Sequence, residues 1–102
     1  MPRHRGEHLS DDIFGMLGER FKALSEPMRL RLIYALSDRE MTVSELVEET
    51  GGSQANVSRH LRVLLEAGFV GRRKQGLNSC YGIEDPTVFE VCDLVGSSSR
   101  RG

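Results

Sequence analysis

Apolar side chains recur along this chain at two distinct periods, and the switches between them mark out its elements. Ile13, Met16, Leu17, Phe21 and Leu24 lie at helical spacing and predict a first amphipathic helix over residues 11–24. Ser25-Glu26-Pro27 interrupts it, and Pro27 suits the first turn of a second helix running to about Leu36. Thr42-Val43-Ser44-Glu45 fits a capping box, with Glu45 three residues after the N-cap Thr42. The third helix behind it is expected to bury Val43, Leu46 and Val47 and to end at Gly51-Gly52. Ser53 then caps a fourth helix, with Val57, Leu61, Leu64 and Leu65 as its apolar stripe, which runs to Ala67 and stops at Gly68. Phe69 to Lys74 and Leu77 to Ile83, rich in β-branched and aromatic residues, flank Gln75-Gly76 and predict a β-hairpin. Asp85-Pro86 opens a fifth helix with Val88, Val91, Cys92 and Val95 on one face. The expected architecture is mainly α, five helices with one hairpin.

A chain of 102 residues is one domain. The periodic part is residues 11–96, between polar, aperiodic tails at 1–10 and 97–102. A domain this small leaves much apolar surface uncovered, so a partner subunit would help it. The longest apolar stretch, around Leu32 to Leu36, is too short to cross a membrane, and no signal-peptide stretch follows Met1. A cytoplasmic protein is expected, with Cys80 and Cys92 as reduced thiols. The net charge of −1 argues against nucleic acid, but its distribution argues the other way. Residues 38–50 hold the acids Asp38, Glu40, Glu45, Glu48 and Glu49 against Arg39 alone. Residues 53–80 hold Arg59, Arg62, Arg72, Arg73 and Lys74 against Glu66 alone, and local charge is what a phosphate backbone feels.

Two helices joined by a tight Gly51-Gly52 turn have the spacing of a helix-turn-helix, whose second helix lies in the major groove of DNA. Its N-terminal residues here are Ser53, Gln54, Ala55, Asn56, Ser58 and Arg59. Gln and Asn pair with adenine, Arg with guanine or phosphate, and a small Ala permits close approach. Ala55, Arg59 and Arg62 project opposite the apolar stripe, giving one buried face and one reading face. The hairpin tip, Arg72-Arg73-Lys74-Gln75 with Asn78, makes a basic wing for phosphates or the minor groove. The fold is thus expected to be a winged helix-turn-helix, and the partner a double-stranded DNA operator. His60, beside the stripe, reads as a hydrogen-bonded, partly buried histidine rather than a metal ligand or switch. A winged-helix module for protein–protein contact without DNA binding is the alternative. A thiol enzyme would need an activated cysteine beside a base, and neither cysteine has a basic sequence neighbour.

Three stretches carry a resemblance: Phe21-Lys22-Ala23-Leu24-Ser25-Glu26-Pro27-Met28-Arg29-Leu30, Ser58-Arg59-His60-Leu61-Arg62-Val63-Leu64, and Ala67-Gly68-Phe69-Val70. Over about residues 14–95 the chain resembles the ArsR/SmtB family of repressors. The resemblance implies a homodimeric winged-helix repressor, paired through its first and last helices, that leaves an inverted-repeat operator on binding a metal, metalloid or other inducer. Phe14, Leu17, Val88, Val91, Cys92 and Val95 are then the expected dimer interface. The family's metal motifs are not matched. Thr42 and Ser44 stand where one motif has cysteines, and the C-terminal zinc pattern keeps only Asp85, with Thr87 in a histidine position. No cofactor or metal is therefore assigned. Cys80 and Cys92 remain as candidate sensor thiols. Cys92 reads first as a small apolar side chain in the interface, and Cys80 is expected to point away from the core and to be the more accessible. His4 and His8 are expected in solvent.

Overall fold

The computed structural model describes residues 10–101, and the side chains of all but 98–101. The expected N-terminal tail, with His4 and His8, thus lies outside the described residues except for Ser10. In chain order the elements are α1 (Asp11–Ala23), α2 (Pro27–Ala35), β1 (Met41–Thr42), α3 (Val43–Thr50), α4 (Gln54–Glu66), β2 (Val70–Gln75), β3 (Asn78–Ile83) and α5 (Thr87–Arg101). The helix starts follow from local chemistry. Ser10 accepts from the Ile13 amide, with Asp11 and Asp12 in the first turn complementing the helix dipole. Pro27 opens α2 at a position where its missing N–H costs nothing. Thr42 and Glu45 make both halves of a capping box, at 3.2 and 2.9 Å. Ser53 caps α4 by accepting from the Asn56 amide at 3.1 Å. Gly51 ends α3 at φ 79°, a left-handed position where glycine is the residue without a steric penalty.

One core joins all elements. Leu32, Ile33 and Leu36 of α2, Leu46 of α3 and Val57, Leu61 and Leu64 of α4 pack with Phe69, Val70, Tyr81 and Val88. Val43 and Val47, expected to be buried, are half-buried at its rim. The hairpin gains a third strand that the sequence pattern did not show: β1 pairs with β3, so the antiparallel sheet runs β1-β3-β2. Two residues are too few to show a period, and Thr42 reads in the sequence as the N-cap of the third helix. The register places Arg72 opposite Tyr81, Arg73 opposite Cys80 and Gln75 opposite Asn78. Strand alternation then puts Val70, Arg72, Tyr81 and Ile83 on the inner face, and Gly71, Arg73, Gln75, Cys80 and Gly82 on the outer one. Leu77 belongs to the turn rather than a strand and is fully exposed.

Three expectations change. Cys80 does lie on the outer face but is buried: its thiol donates to Gln75 Oε1 at 2.9 Å, and the cross-strand Arg73 pairs with Glu40. A central strand has polar neighbours on both sides, and they close over it. Val88, expected at a dimer interface, is 1% exposed and belongs to the chain's own core. The segment from Ser97, expected as a tail, continues α5 to Arg101. The apolar stripe of α1 in turn faces outward: Phe14 and Phe21 are 53% and 59% exposed, and only Ala23 is buried.

The core account predicts that Leu46→Ala costs about 2–5 kcal/mol of unfolding free energy in urea, through lost transfer energy plus a residual cavity. Leu77→Ala should stay within about 0.5 kcal/mol of the parent. Equal losses in the two variants would contradict this placement of the core.

Candidate nucleic-acid interface

The outer surface of α4 and the sheet form one continuous polar region. Ser53, Gln54, Ala55, Ser58, Arg59 and Arg62 are exposed, and Asn56 is half-buried. Because α4 turns its Val57, His60, Leu61 and Leu64 edge into the core, the remaining positions divide into two rows. Asn56 and Arg59 make one row, where an Arg59 guanidinium nitrogen donates to Asn56 Oδ1 at 2.6 Å. Ser58, Arg62 and Leu65 make the other, which faces the sheet. There, Ser58, Arg62, Leu65 and Glu66 of α4 line a cleft with Arg72 and Tyr81 of the hairpin. Among the described residues neither Arg62 nor Arg72 has an ion-pair or hydrogen-bond partner. On the outer face of the wing, Arg73 Nε donates to Glu40 Oε1 at 2.7 Å and Gln75 receives the Cys80 thiol. Lys74 and Asn78 are exposed near the tip.

Arg29 is the buried cation among the described residues. Its Nε donates to the Ala23 carbonyl at 2.7 Å, and its terminal nitrogens reach the Lys22 carbonyl at 3.4 Å and His60 Nδ1 at 3.3 Å. The Arg59 guanidinium lies 3.4 Å from the other ring nitrogen, Nε2. A neutral imidazole has only one acceptor nitrogen. We assign it to Nδ1, where Arg29 is buried and needs an acceptor, so Nε2 carries the hydrogen and cannot hold Arg59. Burial holds the His60 pKa below its ordinary value, and the charges of Arg59 and Arg29 lower it further against a weaker opposing effect of Glu26. His60 is therefore a neutral structural acceptor, as its place beside the apolar stripe suggested. Arg59 is left tethered by Asn56 alone.

Residues 26–71, from the N-cap of α2 to the start of β2, match the family described as bacterial regulatory protein, arsR family. Over 95 residues the chain is 35% identical to the HTH-type transcriptional regulator KmtR of Mycobacterium tuberculosis, covering 92% of this chain and 73% of that one. The chain belongs to the arsR family. It is also 39% identical over 74 residues to the probable mercury resistance operon repressor of Streptomyces lividans, covering 72% of this chain and 59% of that protein. The solution structure of the homodimeric winged helix-turn-helix DNA-binding domain (fragment 1–100) of Mb0332 from Mycobacterium bovis superposes with a TM-score of 0.78 at 25% identity, over 92% of this chain and 90% of that one. The winged helix-turn-helix expected from the hairpin and the Gly51-Gly52 turn is the fold observed.

In this arsR-family chain the positions of the family's metal motifs do structural work. The Thr42 hydroxyl caps α3. Asp85 Oδ2 receives Arg20 at 2.7 Å, and its Oδ1 receives the Thr87 hydroxyl and amide. Those Thr87 hydrogen bonds, with the Arg20 charge, hold the Asp85 carboxyl below its usual range. Arg20 also donates to the Ala67 carbonyl at 2.9 Å and lies 4.3 Å over the Phe69 ring, which ties α1 to the ends of α4 and α5. The two cysteines are free and have different neighbours: Cys92 is half-buried beside Tyr34, Cys80 sits under Gln75. Burial, then Cys92 and Asp93, push the Tyr34 phenol up, and its ring meets Phe89 edge-on at 5.2 Å. Tyr81 and Arg29 are the residues of this region that the pattern missed. Tyr81 reads from sequence as an ordinary strand aromatic, and Arg29 as one more charge on a helix.

A histidine that refuses a proton when folded but accepts one when unfolded makes stability depend on pH. Above the unfolded value of 6.5 the stabilisation is complete, and it is lost as pH falls through 6.5 toward the lower folded value. Unfolding free energies from urea titrations should therefore fall as the pH drops below about 6.5, and His60→Gln should flatten that slope. An equal slope in wild type and His60→Gln would contradict the neutral, buried assignment.

Proposed function

We propose that this chain is a homodimeric, sequence-specific DNA-binding transcriptional regulator of the repressor type, released from its operator by an inducer. The observation that carries the reading is a pair of arginines without partners among the described residues, Arg62 and Arg72, where the exposed row of α4 meets the wing. Cations left without protein partners beside a helix whose other face is the core suit a polyanion. In this reading α4 enters the major groove, with Gln54, Ala55, Asn56 and Arg59 toward base edges. Ser53, Ser58, Arg62, Arg72 and Lys74 serve the backbone, with Asn78 at the wing tip. Arg73 and Gln75, already engaged by Glu40 and Cys80, contribute less than sequence alone suggests.

The dimer reading rests on apolar surface that one chain leaves open. Phe14, Leu17, Val91 and Val95 are exposed, and a groove between α1 and α5 is lined by Leu17, Phe21, Leu24, Val88 and Val91. A second copy packed there by a two-fold axis covers this surface. It sets the two α4 helices for successive major grooves, roughly 34 Å apart, on an inverted repeat. The similar Mycobacterium bovis domain is a homodimer. Half-buried Cys92, on α5 beside Tyr34, is where a thiol-reactive inducer would alter that packing. Among the described residues no helix is long and apolar enough to cross a membrane. The reading places the protein in the cytoplasm and assigns it no catalytic step.

Titrating a genomic duplex recovered by selection should show two chains bound per duplex. Arg59→Ala and Asn56→Ala should each lose about 1–3 kcal/mol of discrimination against unrelated DNA. Arg59→Ala with wild-type affinity and selectivity would show that α4 is not the reading helix.

A further inference from the structure

We propose that the cleft between α4 and the wing seats one DNA backbone phosphate, with Tyr81 as a ligand beside Ser58, Arg62 and Arg72. The seat rests on the DNA-binding reading and adds to it a residue and a geometry. Tyr81 is 9% exposed, its ring lies in the core, and among the described residues its hydroxyl takes part in no hydrogen bond. Its hydroxyl is not sealed off, since no fully buried side-chain oxygen among the described residues lacks a partner, and Tyr81 lines the same cleft as the two arginines. A tyrosine this buried whose hydroxyl has no partner is unusual, because burial normally goes with a hydrogen bond.

The four groups converge for geometric reasons. Ser58 and Arg62 are four residues apart on one face of α4, and Arg72 is directly opposite Tyr81 in the β2–β3 register. Two guanidinium groups and two hydroxyls supply many N–H and O–H donors and two positive charges. That set suits a phosphate diester, which has two acceptor oxygens and one negative charge. It repels a cation and offers no apolar pocket to a neutral ligand. Half of the donors come from the recognition helix and half from the wing, so a phosphate in the cleft bridges the two and fixes the wing against α4. Glu66 lines the same cleft and opposes an anion, so it lowers affinity in this account.

The test is fluorescence anisotropy with the full chain, a selected genomic duplex and an unrelated duplex of equal length, over a salt series. Tyr81→Phe keeps the ring in the core and removes only the donor. It should weaken binding to both duplexes about tenfold for each bound chain, because a hydrogen bond to a charged oxygen is lost in each, with an unchanged salt slope. The Arg62→Ala/Arg72→Ala double variant should lose about two units of slope for the bound dimer rather than about four, because in each chain both groups act on the same phosphate. Glu66→Gln should tighten binding to both duplexes. If wild type binds and Tyr81→Phe binds equally well, or the double variant loses about four units, the seat is overturned while the DNA-binding reading stands. If wild type binds neither duplex, that reading falls and the seat with it.

Discussion

The guanidinium of Arg29 holds three helices at one point: it closes the C-terminal carbonyls of α1, springs from the first turn of α2, and reaches the imidazole of α4. A buried cation is tolerable only when its donors are met, and truncating one partner leaves an uncompensated charge. Here the partners are backbone carbonyls and a neutral histidine, so the arrangement demands that His60 stay unprotonated. The outward positions of α4 follow from that demand. With His60, Val57, Leu61 and Leu64 fixed inward, Asn56 and Arg59 must lie on one flank and Ser58 and Arg62 on the other.

That division gives the surface its two chemistries. On the flank beside His60, Asn56 holds Arg59, a tether that base contacts can replace without leaving a buried group unmet. On the flank beside the wing, Arg62 and Arg72 form no ion pair among the described residues. A net charge of −1 is compatible with a polyanion partner because the acids gather elsewhere, in and before α3 and around α5. Where acids do approach the basic third, each has an identifiable place: Glu40 takes Arg73 on the outer face of the wing, and Glu66 shares the cleft.

Much of this was legible in the chain because its signals are local. Thr42 with Glu45, Ser53, Pro27 and Gly51 each act within a turn of themselves, and each marks a helix end where expected. The apolar stripe of α4 predicted its buried edge, and so the exposed row. What escaped depends on contacts distant in sequence. The strand β1 exists only because β3 pairs with it, and Cys80 is covered for the same reason. Val88 was read with α5's outer face, but the Arg20–Asp85 contact and the turn before α5 draw its first residues onto the core. The hydroxyl of Tyr81 gains meaning only when α4 and the hairpin meet.

The central claim is that α4 and the wing together form the surface that meets DNA. Backbone amide hydrogen exchange of the full chain, with and without a selected genomic duplex, tests it most directly. The account predicts added protection in residues 53–62 and 70–83, with α1 and α5 unchanged once the dimer is formed. Protection confined to α1 and α5, with α4 exchanging as in the free protein, would contradict it.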